Sequence, residues 1–233
     1  FDVMPLGLPA AALARQFDFD DAGSHLWLRA DPAFVQPEMN GVRLMAVGEL
    51  GLRNEESRAL VEALQPIFGD VGMPLTAANT QRWYLQLQTQ LRLPRFVAPE
   101  DAIGTDLAEH LPQGEEGKRW RALLNEAQVI LHNHPVNQAR VKAGKVPANS
   151  LWFWGAGALP DEVISGVATL FSHEPHACAL AQLSGIEVKL IDSDVLPDKL
   201  DDCAIDLRGA RDLAALESSV FAPLLKRVQA GKL

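Results

Sequence analysis

Residues 131–157, LHNHPVNQARVKAGKVPANSLWFWGAG, gather two histidines, three asparagines, an arginine and two lysines ahead of a tryptophan-glycine run. Arginine presents a planar fork of N–H groups matched to carboxylate or phosphate oxygens, and asparagine donates from its amide without adding charge. Asn137, Arg140 and Asn149 therefore suit a phosphorylated or carboxylated small molecule, while Lys142 and Lys145 read as solvated loop charges. Trp152-Phe153-Trp154 reads as a buried strand opening into the turn Gly155-Ala156-Gly157. Glycines there would let backbone N–H groups approach an oxyanion, or let another segment pass close by. The run is no dinucleotide fingerprint, because the third glycine is missing and Pro160 stands where the helix should begin.

His132 and His134 are two residues apart, a spacing that suits ligands on a strand better than ligands on a helix, and His173-Glu174-Pro175-His176 is not HExxH. Helix capping and packing are the expected roles, and no metal site is assigned. The chain has no Gly-x-Ser-x-Gly elbow, no phosphate-binding loop of the Walker type and no cysteine beside an obvious base.

These residues need elements to hold them. Trp120, Leu123, Leu124, Ala127, Ile130 and Leu131 share one broad arc of a helix over 115–134, and Pro135 must end it. Arg121, Asn125, Gln128 and His132 form a polar stripe bordering that arc, placed to line a site or to cap neighbouring loops. Residues 134–150 are then loop or short helix. Helices are also expected over 9–17, 54–68, 175–183 and 213–228. Strands are expected over 26–30 (closed by Asp31-Pro32), 42–47, 83–87, 151–154, 163–168, 187–191 and 203–207. The alternation predicts an α/β fold, with a largely parallel or mixed sheet and helices on both faces. Residues 92–114, rich in proline and glycine, mark an expected boundary between an N-terminal lobe, 1–112, and a C-terminal lobe, 113–233.

The 233 residues are 48% hydrophobic and 22% charged, with no uncharged apolar run of membrane-spanning length, so no membrane partner is expected. A net charge of −9 argues against nucleic acid and leaves any anion site to local groups. Cys178 and Cys203 imply neither a disulfide framework nor a zinc knuckle, so the cytoplasm is the expected compartment. The chain opens on Phe1 without a signal-peptide pattern, and further residues are expected ahead of it.

Asn125, His134-Pro135-Val136-Asn137, Arg140, Gly144, Pro147-x-Asn149 and Trp152-x-Trp154-Gly-Ala-Gly157 together resemble a segment of archaeal-type cofactor-independent phosphoglycerate mutases. With Asp31-Pro32, Met39-Asn40-Gly41 and Leu111-Pro112-Gln113-Gly114 added, the chain is most similar to a bacterial group of phosphoglycerate-mutase-like, RpfE-type regulatory proteins. The resemblance implies part of an alkaline-phosphatase-superfamily fold, an inserted substrate-binding α/β domain with a reduced core. It places Asn137, Arg140 and Asn149 in the insert or at its junction with the core. The family's two-metal centre needs an Asp-x-x-Gly-His type motif downstream, whereas this chain reads Ile205-Asp206-Leu207-Arg208-Gly209-Ala210-Arg211 and has no histidine after His176. The expectation is therefore a binding or regulatory protein without cofactor, its ligand contacts drawn from Asn137, Arg140, Asn149, Arg121, Asn125, Gln128, His132, His134, Trp154, Gly155 and Gly157. The alternative is a mutase or phosphotransferase using Mn²⁺ or another divalent metal at a divergent site. A protein partner stays open.

Overall fold

The computed structural model describes residues 7–39, 41–189, 202–208 and 212–231. They divide into two compact units, 1–159 and 160–233. The segment 92–114, expected as a boundary, lies inside the first unit, where Phe96 and Leu111 join the same apolar core as the flanking elements.

The first unit runs α1 (Ala10–Phe19), β1 (Leu26–Glu38), β2 (Gly41–Val47), α2 (Asn54–Gly69), β3 (Leu75–Ala77) and β4 (Trp83–Leu87). Two short turns of helix follow, α3 (Pro99–Ala102) and α4 (Leu107–His110), then α5 (Gly114–Asn133), α6 (Pro135–Lys142) and β5 (Ser150–Gly157). Its five strands form one sheet in which every pairing is antiparallel. β1 carries β5 on one edge and β4 then β2 on the other, since Trp27 pairs with both Gln86 and Gly157, and Ala33 with both Val47 and Ser150.

Alternation along β1 sorts the two faces. Leu28 and Ala30 join Leu85, Leu151 and Phe153 under α2 and α5, where Leu60, Leu64, Phe68, Trp120 and Leu124 complete the main core. Trp27 and Tyr84 face α1 instead, and Ala33, Val35 and Trp152 face α3 and α4. Each large side chain fully buried in this way contributes about 1.5–3 kcal/mol.

β1 does not stop at Asp31-Pro32 as expected from the proline. Pro32 accepts from Gly48 N–H at 2.8 Å on the edge between the start of β4 and the end of β2. Its missing N–H faces that gap, where no ladder bond is required.

The second unit holds β6 (Thr169–Phe171), α7 (Pro175–Leu183), β7 (Glu187–Lys189) and β8 (Cys203–Ile205), then α8 (Leu213–Leu216), a π-helical turn (Glu217–Phe221) and α9 (Ala222–Gln229). Its three strands are parallel in the order β7-β6-β8. The whole is a mixed α/β architecture, with parallel pairing confined to the second unit among the described residues. The strand expected over 163–168 is irregular, because Ser165 Oγ accepts from Val167 N–H and turns the chain ahead of β6. The expected helix 213–228 is present with a π-helical turn just before Pro223, which cannot donate to the carbonyl four residues back. Residues 190 and 191, expected to finish a strand, lie outside the described residues.

Candidate functional site

α6 begins where the sequence requires, with Pro135 in its first turn and His134 as its cap, the ring Nδ1 accepting from Val136 N–H at 3.2 Å. Partial burial pushes the His134 imidazole below its ordinary pKa, which keeps Nδ1 available as an acceptor.

The helix turns Asn137 and Arg140 inward, each only 2% exposed. Asn137 Nδ2 donates to Leu131 O and Ala148 O, both at 2.8 Å, and Oδ1 accepts from Ala148 N–H at 3.0 Å. The amide thereby ties the end of α5 to the start of β5. Arg140 donates through Nε to Val146 O (2.8 Å), through Nη1 to Gly51 O (3.2 Å) and Glu56 Oε2 (2.8 Å), and through Nη2 to Leu50 O (2.6 Å). Burial opposes the Glu56 charge, but the N–H and guanidinium of Arg53 together with Arg140 outweigh it and hold that carboxyl below its usual range.

Asn149 Oδ1 accepts from Val35 N–H at 2.9 Å while Nδ2 donates to Val35 O at 2.8 Å. Its side-chain amide acts as one more rung of the β1–β5 ladder, beyond the last backbone pair Ala33–Ser150. The three residues singled out as ligand contacts thus have their polar atoms bonded to the protein's own chain.

The polar stripe of α5 splits. Gln128 Nε2 donates to Ser150 Oγ at 3.0 Å and Arg121 Nη1 to Pro112 O, whereas Asn125 and His132 are exposed. Gly155 and Gly157 serve close approach: a Cβ on Gly155 would lie 2.9 Å from Ala10 Cβ, and one on Gly157 would overlap Pro9. Gly155 also holds φ at +67°, a conformation side chains strain to adopt. The alanine-rich start of α1 sits against this turn. Of the two roles open to the glycines, the geometry selects the passing segment.

Trp154 leads to a pair that the sequence reading left aside. Its Nε1 donates to Asp31 Oδ2 at 2.7 Å, and Asp31 also accepts from Arg29 Nε at 2.9 Å, Arg29 Nη2 at 2.8 Å and Trp83 N–H at 3.1 Å. Burial pushes the Asp31 carboxyl up, against the pull of Arg29, Trp154 and Trp83. Arg29 lies 5.3 Å from the Tyr84 ring and 5.1 Å from the Trp154 ring. The signal was present in LWLRADPAFV: opposite charges two apart share one face of a strand whose other residues are apolar.

In the second unit, Ser172, Glu174 and Asp206 stand at the carboxyl ends of β6 and β8, the usual position for ligands in parallel sheets. Ser172 Oγ donates to Asp206 Oδ2 at 2.9 Å and accepts from Glu174 N–H at 2.9 Å. Arg208 binds both oxygens of Asp206, at 2.9 and 2.8 Å, and holds that carboxyl far below its ordinary range. The Arg208 Nη2 also lies 3.6 Å from Glu174 Oε2, and Glu174 Oε1 meets His176 Nδ1 at 2.5 Å. A two-metal centre does not fit this donor set: a guanidinium stands between the carboxylates, and among the described residues no group of three or more His, Cys, Asp or Glu could hold a metal ion.

Comparison with known proteins points one way. The chain is 37% identical over 105 residues to a probable 2,3-bisphosphoglycerate-independent phosphoglycerate mutase of Geobacter sulfurreducens, covering 45% of this chain and 26% of that protein. It is 34% identical over 110 residues to the 2,3-bisphosphoglycerate-independent phosphoglycerate mutase of Methanosarcina barkeri, covering 47% and 28%. Over nearly half of its length, then, the chain is similar in sequence to phosphoglycerate mutases. It spans about a quarter of the length of these curated relatives. A solved cofactor-independent phosphoglycerate mutase from Thermoplasma acidophilum aligns with a TM-score of 0.45 at 21% identity, over 72% of this chain and 48% of that one. No family model matches. Among the described residues, no helix is long and apolar enough to cross a membrane.

Proposed function

We propose that this chain is a regulatory, small-anion-binding protein built on a phosphoglycerate-mutase-like scaffold, of the RpfE type, which does not transfer phosphoryl groups through two metals. The observation that carries the reading is how its mutase-like polar residues are used. Asn137, Arg140 and Asn149 hold α5, α6, β1, β5 and the start of α2 together, and Asp206 and Glu174 are engaged by Arg208 and His176. The ligand is a phosphorylated or carboxylated small molecule, no cofactor is required, and two cysteines outside any disulfide or zinc spacing suit a reducing cytoplasm. Calorimetric titration with 3-phosphoglycerate in metal-free buffer tests this. Saturable binding is expected, and no heat at millimolar ligand would overturn the reading.

A second reading, a metal-dependent mutase with a divergent centre, is favoured by the names of the relatives at 37% and 34% identity. It requires bound Mn²⁺ or a similar ion, and a chelator would abolish its turnover.

A further inference from the structure

Arg29 is the buried cation of the first unit with a free edge. It is 5% exposed, and Asp31 occupies its Nε and Nη2. Nη1 has no hydrogen-bond partner among the described residues, and it is not among the polar side-chain atoms sealed from solvent. A guanidinium gripped side-on by one carboxylate keeps its Nη1–Nη2 end for a second acceptor. The other inward-turned arginines differ. Arg140 has all three nitrogens bonded, and Arg15 has all three bonded to Asp21 and Thr76.

The surroundings hold that end in place. The rings of Tyr84 and Trp154 lie within 5.3 Å of the guanidinium carbon, and Asp31 is itself fixed by Trp83 N–H and Trp154 Nε1. A cation fixed in advance loses little freedom on binding. Along β1, Trp27 lies under α1 and Ala33 under α3 and α4, so Arg29 and Asp31 fall between the two apolar patches that cover this face of the sheet.

We infer that Arg29 is the anion-recognising residue of this protein, taking one carboxylate or phosphate group on its Nη1–Nη2 end beside the Trp154 indole. This rests on the small-anion reading above and places its site at Arg29, where the sequence alone had pointed to Arg140. The neighbouring Asp31 carboxylate limits the ligand to a single compact oxyanion group at this point.

The test is a titration of the full chain with 3-phosphoglycerate, D-glycerate and inorganic phosphate, followed by calorimetry and by the Arg29 Nε–H resonance in NMR. Arg29→Lys keeps the charge and removes the fork. The resonance in the unsubstituted protein gives an answer even if that variant folds poorly. The expected result is that the resonance shifts saturably and Arg29→Lys weakens binding about tenfold or more. Glycerate binding without phosphate binding identifies the recognised group as carboxylate, and the reverse identifies phosphate. If 3-phosphoglycerate binds but the resonance stays put and Arg29→Lys binds equally well, the Arg29 site is wrong and the small-anion reading stands. If none of the three probes binds, both fail.

Discussion

Arg140→Ala should behave as a stability mutation of the first unit and not as the loss of a ligand contact. The substitution removes four hydrogen bonds, to Val146 O, Gly51 O, Leu50 O and Glu56 Oε2. Three carbonyls lose a donor, and Glu56, whose side chain is 10% exposed, loses one of its two guanidinium partners. Leaving a buried acceptor unpaired costs about 1–3 kcal/mol, and breaking a buried ion pair about 3–5 kcal/mol. These overlap at one site and Glu56 keeps the Arg53 N–H at 2.8 Å, so the total is about 3–5 kcal/mol. All five tryptophans lie within residues 1–159, so intrinsic fluorescence during urea unfolding reports the first unit alone. The midpoint should fall while Lys142→Ala, an exposed neighbour, stays within about 0.5 kcal/mol of the parent. A stability loss for Arg140→Ala below about 1 kcal/mol would refute the account of this residue as a clamp.

Asn149→Ala removes both bonds to Val35 and should cost about 1–3 kcal/mol, with faster amide hydrogen exchange at Val35 than in the parent protein. Gly157→Ala would drive a methyl into Pro9, so α1 should lift from β5 at a cost of about 1–3 kcal/mol, visible as a change in near-ultraviolet circular dichroism. Folded His134 binds its proton less readily than the unfolded chain, whose pKa is 6.5, so its contribution is present above that value and is lost as pH falls through the depressed one. His134→Asn, a cap at any pH, should flatten the slope of urea midpoint against pH in that window.

Much of the scaffold was legible because its signals are local. The apolar arc of α5, the proline that ends it, the alternation in β4 and the aromatic run of β5 each depend on neighbours in sequence. Strand direction was not, because whether β5 lies parallel or antiparallel to β1 depends on pairing between segments more than a hundred residues apart. The same limit applies to the site. Residue type marked Asn137, Arg140 and Asn149 as strong hydrogen-bonding groups, but a backbone carbonyl 89 residues away satisfies Arg140 as well as a ligand oxygen would, and only the fold decides between them. Gly155 and Gly157 left two roles open until α1 was seen against them. Arg29 and Asp31 were masked by Pro32, which read as a strand stop and set Asp31 outside the strand on which the pair is formed.

The most direct test of the central claim is turnover of 3-phosphoglycerate to 2-phosphoglycerate by the purified chain, with Mn²⁺ supplied in excess. A scaffold whose mutase-like residues hold the fold, and whose paired carboxylates are closed by Arg208, predicts no conversion above the uncatalysed background. Metal-dependent turnover, abolished by chelator and restored by Mn²⁺, would contradict it and establish a divergent catalytic centre.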